Sequence, residues 1–262
     1  MALSIPAAGA DDAYAEIHCK HFFNGYPTGT PVTNDLVIRD GYALSSNDET
    51  KFADWVACRL DCATVCGDVP QQRKWMTDPW LDEDETLESK PDDYAGASDA
   101  LGVDRGHQAP LASFKGTLYW YETNYYSNIT PQMSDLNQGP WVKIEDKEPD
   151  LARAGDIVYV MTGPLYERNM PGLPNADEPH LCPPATGRSS PSNRATTTTR
   201  YASPAFIFDQ ETPRDAAVLD YLVTVDDVEE RSGLDFLWEL SPAEQDRIES
   251  GTFAEWAAEN FG

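Results

Sequence analysis

Between residues 104 and 145 the chain gathers an unusual set of side chains. It begins with Asp104-Arg105-Gly106-His107 and continues through Ser127-Asn128-Ile129-Thr130-Pro131-Gln132. Asp135-Leu136-Asn137-Gln138-Gly139-Pro140-Trp141 follows, and the stretch ends at Glu145. A histidine titrates near neutral pH and can take a proton in a reaction. Amide and carboxylate oxygens suit a hard divalent cation, and a guanidinium suits a phosphate. Together, Arg105, His107, Asn128, Asn137 and Glu145 point to metal-assisted attack on a phosphodiester.

These residues need elements that aim them. Residues 101–107 read as the end of a strand. Alternation on a strand puts Arg105 and His107 on one face, and Gly106 between them permits close approach of another chain segment. Residues 135–148 read as a helix, with Asp135 as its cap and Pro140 near its first turn. Asn137 and Glu145 are eight residues apart, about 12 Å along a helix axis and about 80° around it. One ion can hardly take both directly. Helical side chains lean toward the N-terminus, so the expectation is Asn137 on the metal and Glu145 reaching it through water.

The stretches DRGHQAPLASF and NYYSNITPQMSDLNQGPW resemble the DNA/RNA non-specific endonucleases, the family of the Serratia secreted nuclease and mitochondrial endonuclease G. The resemblance extends to KFADWVA (51–57) and QQRKW (71–75). Downstream it takes in MTGPLYERNM (161–170), FIFDQETP (206–213) and VTVDDVEERSGL (223–234), so it spans nearly the whole chain. It implies a mixed α+β fold, a central antiparallel sheet flanked by helices with a ββα-metal motif; with no linker in the sequence, 14–262 read as one domain behind a small, polar, flexible segment 1–13. It implies cleavage of double- and single-stranded DNA and RNA without sequence or sugar preference, leaving 5′-phosphates. The cofactor implied is Mg²⁺, with Mn²⁺ or another divalent ion as an alternative, held by Asn137. By the same resemblance His107 is the general base, Arg105 and Arg73 bind phosphate, Asn128 positions substrate and Glu145 orients a metal-bound water. A homodimer is compatible with it. Asn128-Ile129-Thr130 also matches a glycosylation sequon, which the placing of Asn128 beside phosphate argues against. On the residues alone, a narrower phosphodiesterase or an acidic binding protein with a decayed site remain the rivals.

Charge sits oddly with a polyanionic substrate. The chain of 262 residues has 45 acidic and 19 basic residues, a net of −26, and only seven of the basic residues are Lys. Nucleic-acid binders are usually basic. Acid excess with scarce lysine suits a surface built for concentrated salt; simple solubility is the other reading. The excess is uneven: 76–100 hold nine acids and one base, whereas 101–170 hold nine acids and six bases. Phosphate can therefore approach the chemical segment.

No apolar stretch reaches the eighteen or so residues of a membrane helix. The N-terminal stretch has neither a basic region nor a full apolar core, so with the resemblance it reads as an exported chain whose signal has gone. Five cysteines, 19, 58, 62, 66 and 182, include an i, i+4, i+8 trio at 58, 62 and 66 that would line one helix face. Zinc is one reading; one or two disulfides suit an exported protein better, with connectivity open.

Elsewhere, 35–44 read as one strand and 51–60 as its continuation or a short helix carrying Trp55. Residues 76–99 read as loop. Pro149 should kink or end the helix that bears Glu145. Thr196 to Thr199 suggest a strand, and Ser241-Pro242 opens a helix.

Overall fold

The computed structural model describes residues 15–193 and 201–262. The expected flexible segment 1–13 and the expected strand at Thr196–199 lie outside them. A long antiparallel sheet forms the centre. Its strands are β1 (Asp35–Ile38), β2 (Ala43–Ser46), β3 (Ala53–Leu60), β6 (Ile157–Leu165), β7 (Ala185–Ser189), β10 (Ala205–Asp209) and β11 (Leu222–Val223), in that spatial order. Short β8 (Ser192–Asn193) pairs with β6 and with β9 (Tyr201–Ala202). A separate hairpin of β4 (Val103–His107) and β5 (Ile129–Met133) carries the chemical segment.

The apolar pattern explains why the sheet is covered on both sides. Successive strand residues point to opposite faces. On one face Val56, Cys58, Leu60, Val158, Val160, Phe206 and Phe208 pack with Trp141, Ile144, Leu151 and Phe261. Those last four come from the 137–141 turn, α4 (Val142–Arg153) and α7 (Ala254–Phe261). On the other face Trp55, Ala57, Met161, Leu165 and Ile207 meet Val228 of α5 (Val225–Ser232) and Ile248 of α6 (Pro242–Glu249). At roughly 1.5–3 kcal/mol per large apolar side chain buried, these two layers dominate the stability of the sheet. A third cluster, with Phe52, Leu87, Tyr94, Val103, Tyr126 and Ile129, sits under the hairpin. Among the described residues no helix is long and apolar enough to cross a membrane.

Several expectations change here. Residues 35–44 make two strands, because Asp40-Gly41 turns the chain and Arg39 N–H closes on Tyr42 O at 2.8 Å. Residues 53–60 are a strand throughout. Asp135 does not cap the helix; the short helix α3 (Ser134–Leu136) starts after Met133, and Asp135 pairs with Arg214 Nε at 2.9 Å. Nor does Pro149 end α4, which runs on to Arg153. Pro149 forgoes one backbone hydrogen bond, but Ile144, Leu151 and Ala152 are buried. Glu148 beside it is also gripped by the fully buried Arg188, Nε–Oε1 2.8 Å. Tertiary packing overrides local preference. The Ser241-Pro242 start is as expected. Cys58 stands on β3 while Cys62 and Cys66 form a disulfide across the short helix α1 (Cys62–Val65), so the trio shares no helix face. Cys19, Cys58 and Cys182 are free thiols.

Candidate active site

The β4–β5 hairpin is pinned from both sides. Gly106 faces Thr130, and a Cβ there would lie 2.2 Å from Gln132 Oε1, so glycine leaves the space that the buried Gln132 side chain fills. The buried Gln210 locks the hairpin to the main sheet, accepting from Met133 N–H at 2.7 Å and donating to Pro131 O at 2.8 Å.

Arg105 and His107 share a face, as alternation predicts, and Trp75 is the surface between them. The Arg105 guanidinium carbon is 5.4 Å from the Trp75 ring centre, and the His107 ring is also 5.4 Å from it, tilted by 36°. Arg105 is held rigidly. Its NH2 group donates to both oxygens of Asp92, at 2.8 and 2.7 Å, and its Nε donates to Tyr126 Oη at 3.1 Å. Tyr126 in turn donates to Asp92 at 2.6 Å. Burial works against ionising Asp92, yet the bonds from Tyr126 and Arg105 outweigh it and hold its carboxyl below the usual range. The NH1 group of Arg105 takes none of these bonds.

His107 is almost buried, at 8% exposure, with Nε2 3.5 Å from Asn124 Oδ1. Burial, then the charge of Arg73, lowers its pKa to about 4. The imidazole is therefore neutral at physiological pH and able to accept a proton.

Asp104 points the other way from Arg105 and organises the next segment. It accepts from Ser134 Oγ at 3.0 Å, Asn137 Nδ2 at 3.0 Å and Gln138 Nε2 at 2.7 Å. Because Asn137 spends its N–H on Asp104, its oxygen is the end free for a cation. Asn137 begins a wide π-type turn, Asn137–Trp141, in which Gly139 adopts φ −110°, ψ −112°. A Cβ at Gly139 would sit 2.5 Å from Arg214 O. The ideal-helix spacing between Asn137 and Glu145 is thus broken by this turn. Glu145 accepts from Trp141 Nε1 at 3.1 Å, and burial raises its pKa to about 7 against the pull of Arg188.

Arg73, Trp75, Asp92, Arg105, Asn137 and Gln138 line one open cavity of about 730 Å³. The structure so brings together Arg73, Arg105 and Asn137. His107 sits behind Trp75, and neither it nor Glu145 is part of the cavity lining. A divalent cation fits the donor set: the Asn137 amide, oriented by the Asp104 carboxylate that holds its nitrogen, offers the kind of oxygen a hard ion prefers.

Asn128 is not where the resemblance puts it. It is fully buried, its Nδ2 donates to Ala109 O at 3.0 Å and Thr123 O at 2.9 Å, and its Oδ1 accepts from Ala109 N–H at 2.8 Å. With those bonds made, the side chain pins the segment after His107 to the turn before β5 and has nothing to offer a substrate. The same burial leaves no room for a glycan. Sequence reasoning also missed Trp75, Asp92, Asp104, Asn124 and Tyr126. Asp104 lies inside the motif and Trp75 two residues from Arg73, so proximity was their signal. Asp92 had none within its acidic loop.

The fold agrees with the comparisons. The sequence profile of the DNA/RNA non-specific endonucleases matches residues 23–243, and the chain belongs to that family. It is accordingly an endonuclease, a phosphodiester hydrolase of a metal-dependent family. It is 47% identical to the nuclease of Serratia marcescens over 216 residues, covering 82% of this chain and 78% of that protein. A nuclease of Nostoc sp. is 30% identical over 244 residues, covering 88% and 85%. The solved structure of EndoG in the EndoG/EndoGI complex superposes with a TM-score of 0.67 at 21% identity, covering 81% of this chain and 89% of that one, which supports the fold.

Proposed function

We propose that this protein is an exported, Mg²⁺-dependent nuclease that cuts DNA and RNA, double- or single-stranded, with little regard for sequence or sugar and leaves 5′-phosphates. The observation that carries the reading is the meeting of Arg73, Arg105 and Asn137 around one cavity, with a neutral His107 against the Trp75 wall. In this reading His107 takes the proton of the attacking water. Arg105, through its NH1 group, and the exposed Arg73 neutralise phosphate oxygens, and Asp104 holds Asn137 with its oxygen outward. Glu145, on the helix that follows the Asn137 turn, would help hold the hydrated ion. The bound cation supplies positive charge to the phosphoryl oxygens and the leaving 3′-oxygen. The open cavity and the assignment of both arginines to phosphate favour backbone over base recognition.

Export is supported by the Cys62–Cys66 disulfide, a bond that persists in oxidising compartments. Adaptation to concentrated salt is supported by the net charge of −26 and by the way arginines are tied to carboxylates, as in Arg59–Asp61, Arg168–Asp209 and Arg231–Glu167. The decisive assay is degradation of supercoiled plasmid, single-stranded DNA and RNA, with EDTA and then with Mg²⁺ restored. Loss with EDTA and recovery with Mg²⁺ on all three substrates is expected. Cleavage of one substrate only, or cleavage that survives EDTA, contradicts the proposal.

A further inference from the structure

Next to Asp92, which holds Arg105, stands a second group of carboxylates that the nuclease reading does not use. Asp93, Asp177 and Glu178 each bring one oxygen within 4.8 Å of the others. Acidic residues crowd together often on so acidic a chain, but this group has an unusual interior. Asp93 is fully buried. One of its oxygens accepts from Glu88 N–H at 2.6 Å, while the other, Oδ1, is buried with no hydrogen-bond partner. Glu178 Oε2 is likewise buried without one. Burial raises the pKa of both groups, and Asp177 raises it further in each. Two buried carboxylate oxygens without a hydrogen-bond donor, in a group of three carboxylates, are costly unless a proton or a cation joins them.

We propose that Asp93, Asp177 and Glu178 bind a structural Ca²⁺. Three carboxylates offer only oxygens, which hard cations select. Ca²⁺ takes oxygens at about 2.3–2.6 Å, so ligands on opposite sides of it stand about 5 Å apart, whereas Mg²⁺ needs about 4 Å and near-ideal octahedral geometry. The three oxygens, all within 4.8 Å of one another, suit the flexible oxygen shell of Ca²⁺ better than the strict octahedron of Mg²⁺. The exposed side of Asp177 gives the ion a route in and room for water ligands. The surrounding loops are already organised: His180 donates from Nδ1 to Glu178 O at 2.9 Å and accepts Leu173 N–H on Nε2 at 2.7 Å, while Asn175 Nδ2 donates to Ala95 O. The ion joins the 173–180 loop to the loop that carries Asp92, and through Asp92 it steadies Arg105 at the cavity wall.

The test uses the full chain carrying Asn137→Ala, which weakens cation binding at the cavity, compared with the same chain carrying Asp177→Asn and Glu178→Gln in addition. Both substitutions are at or near the surface and leave the buried Asp93 in place. Thermal melts are recorded in EGTA, in about 10 mM CaCl₂, in MgCl₂ at the same concentration, and in NaCl at matched ionic strength. With affinity in the range of extracellular calcium modules, Ca²⁺ should raise the melting temperature of the Asn137→Ala protein by roughly 3–10 °C over the NaCl control. The triple variant should lose that increment, and calorimetric titration should show one Ca²⁺ fewer per chain. An increment of equal size in the triple variant, no increment in the Asn137→Ala protein, or the same increment with Mg²⁺ would each overturn the proposal.

Discussion

Asp104 and Asn137 are 33 residues apart in sequence, yet Asn137 Nδ2 donates to Asp104 Oδ2 at 3.0 Å. That bond decides which end of the Asn137 amide faces the cavity. In the proposed reading Asn137 is the direct cation ligand, and Glu145, beyond the Gly139 turn, acts through water. Asn137→Ala is therefore expected to weaken apparent Mg²⁺ affinity more than Glu145→Ala, since a direct ligand is harder to replace than an outer partner. Mg²⁺ titrations of activity in both variants check this; equal apparent affinities count against the assignment.

His107 sits behind Trp75 as a neutral imidazole. His107→Ala should lower turnover by about 10²–10⁴-fold, the usual contribution of a positioned base, while the protein stays folded at a somewhat lower urea midpoint because the buried ring is lost. A variant retaining more than about a tenth of wild-type rate would show that another group takes the proton.

Asn128→Ala should behave differently. It would strand Ala109 N–H, Ala109 O and Thr123 O, all now bonded to the Asn128 amide. A loss of about 2–4 kcal/mol in unfolding free energy is expected from buried polar groups left unpaired. Urea unfolding measures it. Full stability combined with lost activity would restore the substrate-positioning role.

Glu249 and Glu229 predict the alkaline side of the stability profile. Burial raises Glu249 to about 8, helped by Glu229, and raises Glu229 to about 7. Folded values above the unfolded value mean that the folded state holds protons more tightly, so stability falls as pH rises toward 8. His21 and His107, lowered to about 4 by burial, act in the opposite sense, but only between about 4 and 6.5. Above pH 6.5 the acids dominate. Without divalent cations, the melting temperature should drop from pH 6.5 to 8.5, and Glu249→Gln should flatten the drop and melt above wild type by a few degrees at the upper end. Parallel curves for the two proteins would remove Glu249 from the explanation.

Salt should help before it hurts. Phosphate contacts through Lys and Arg weaken as salt rises, but a chain of net charge −26 also repels its substrate and itself at low ionic strength. The screening length falls from about 10 Å at 0.1 M to about 3 Å at 1 M, so distant acids are screened before the Arg105 and cation contacts fail. Activity and melting temperature should both rise with NaCl to at least about 0.5 M at fixed Mg²⁺. A steady decline in activity from the lowest salt would leave the acidity as a solubility feature.

Local rules carried much of this protein. Strand alternation alone put Arg105 and His107 on one face, and Ser241-Pro242 opened a helix, because each depends on neighbours in sequence. The family was legible for the same reason, its motifs being contiguous. What the sequence left open depended on partners far along the chain. Asn128 could not be seen to spend its amide on Ala109 and Thr123, nor Asp92 to grip Arg105 from 13 residues upstream. Pro149 stays helical because Arg188, 39 residues on, holds Glu148 beside it and the helix face is buried. Cys62 and Cys66 pair on a short helix while Cys58 is carried into the core by β3. Hydrogen bonds and burial act through space, and spacing along one chain does not report them.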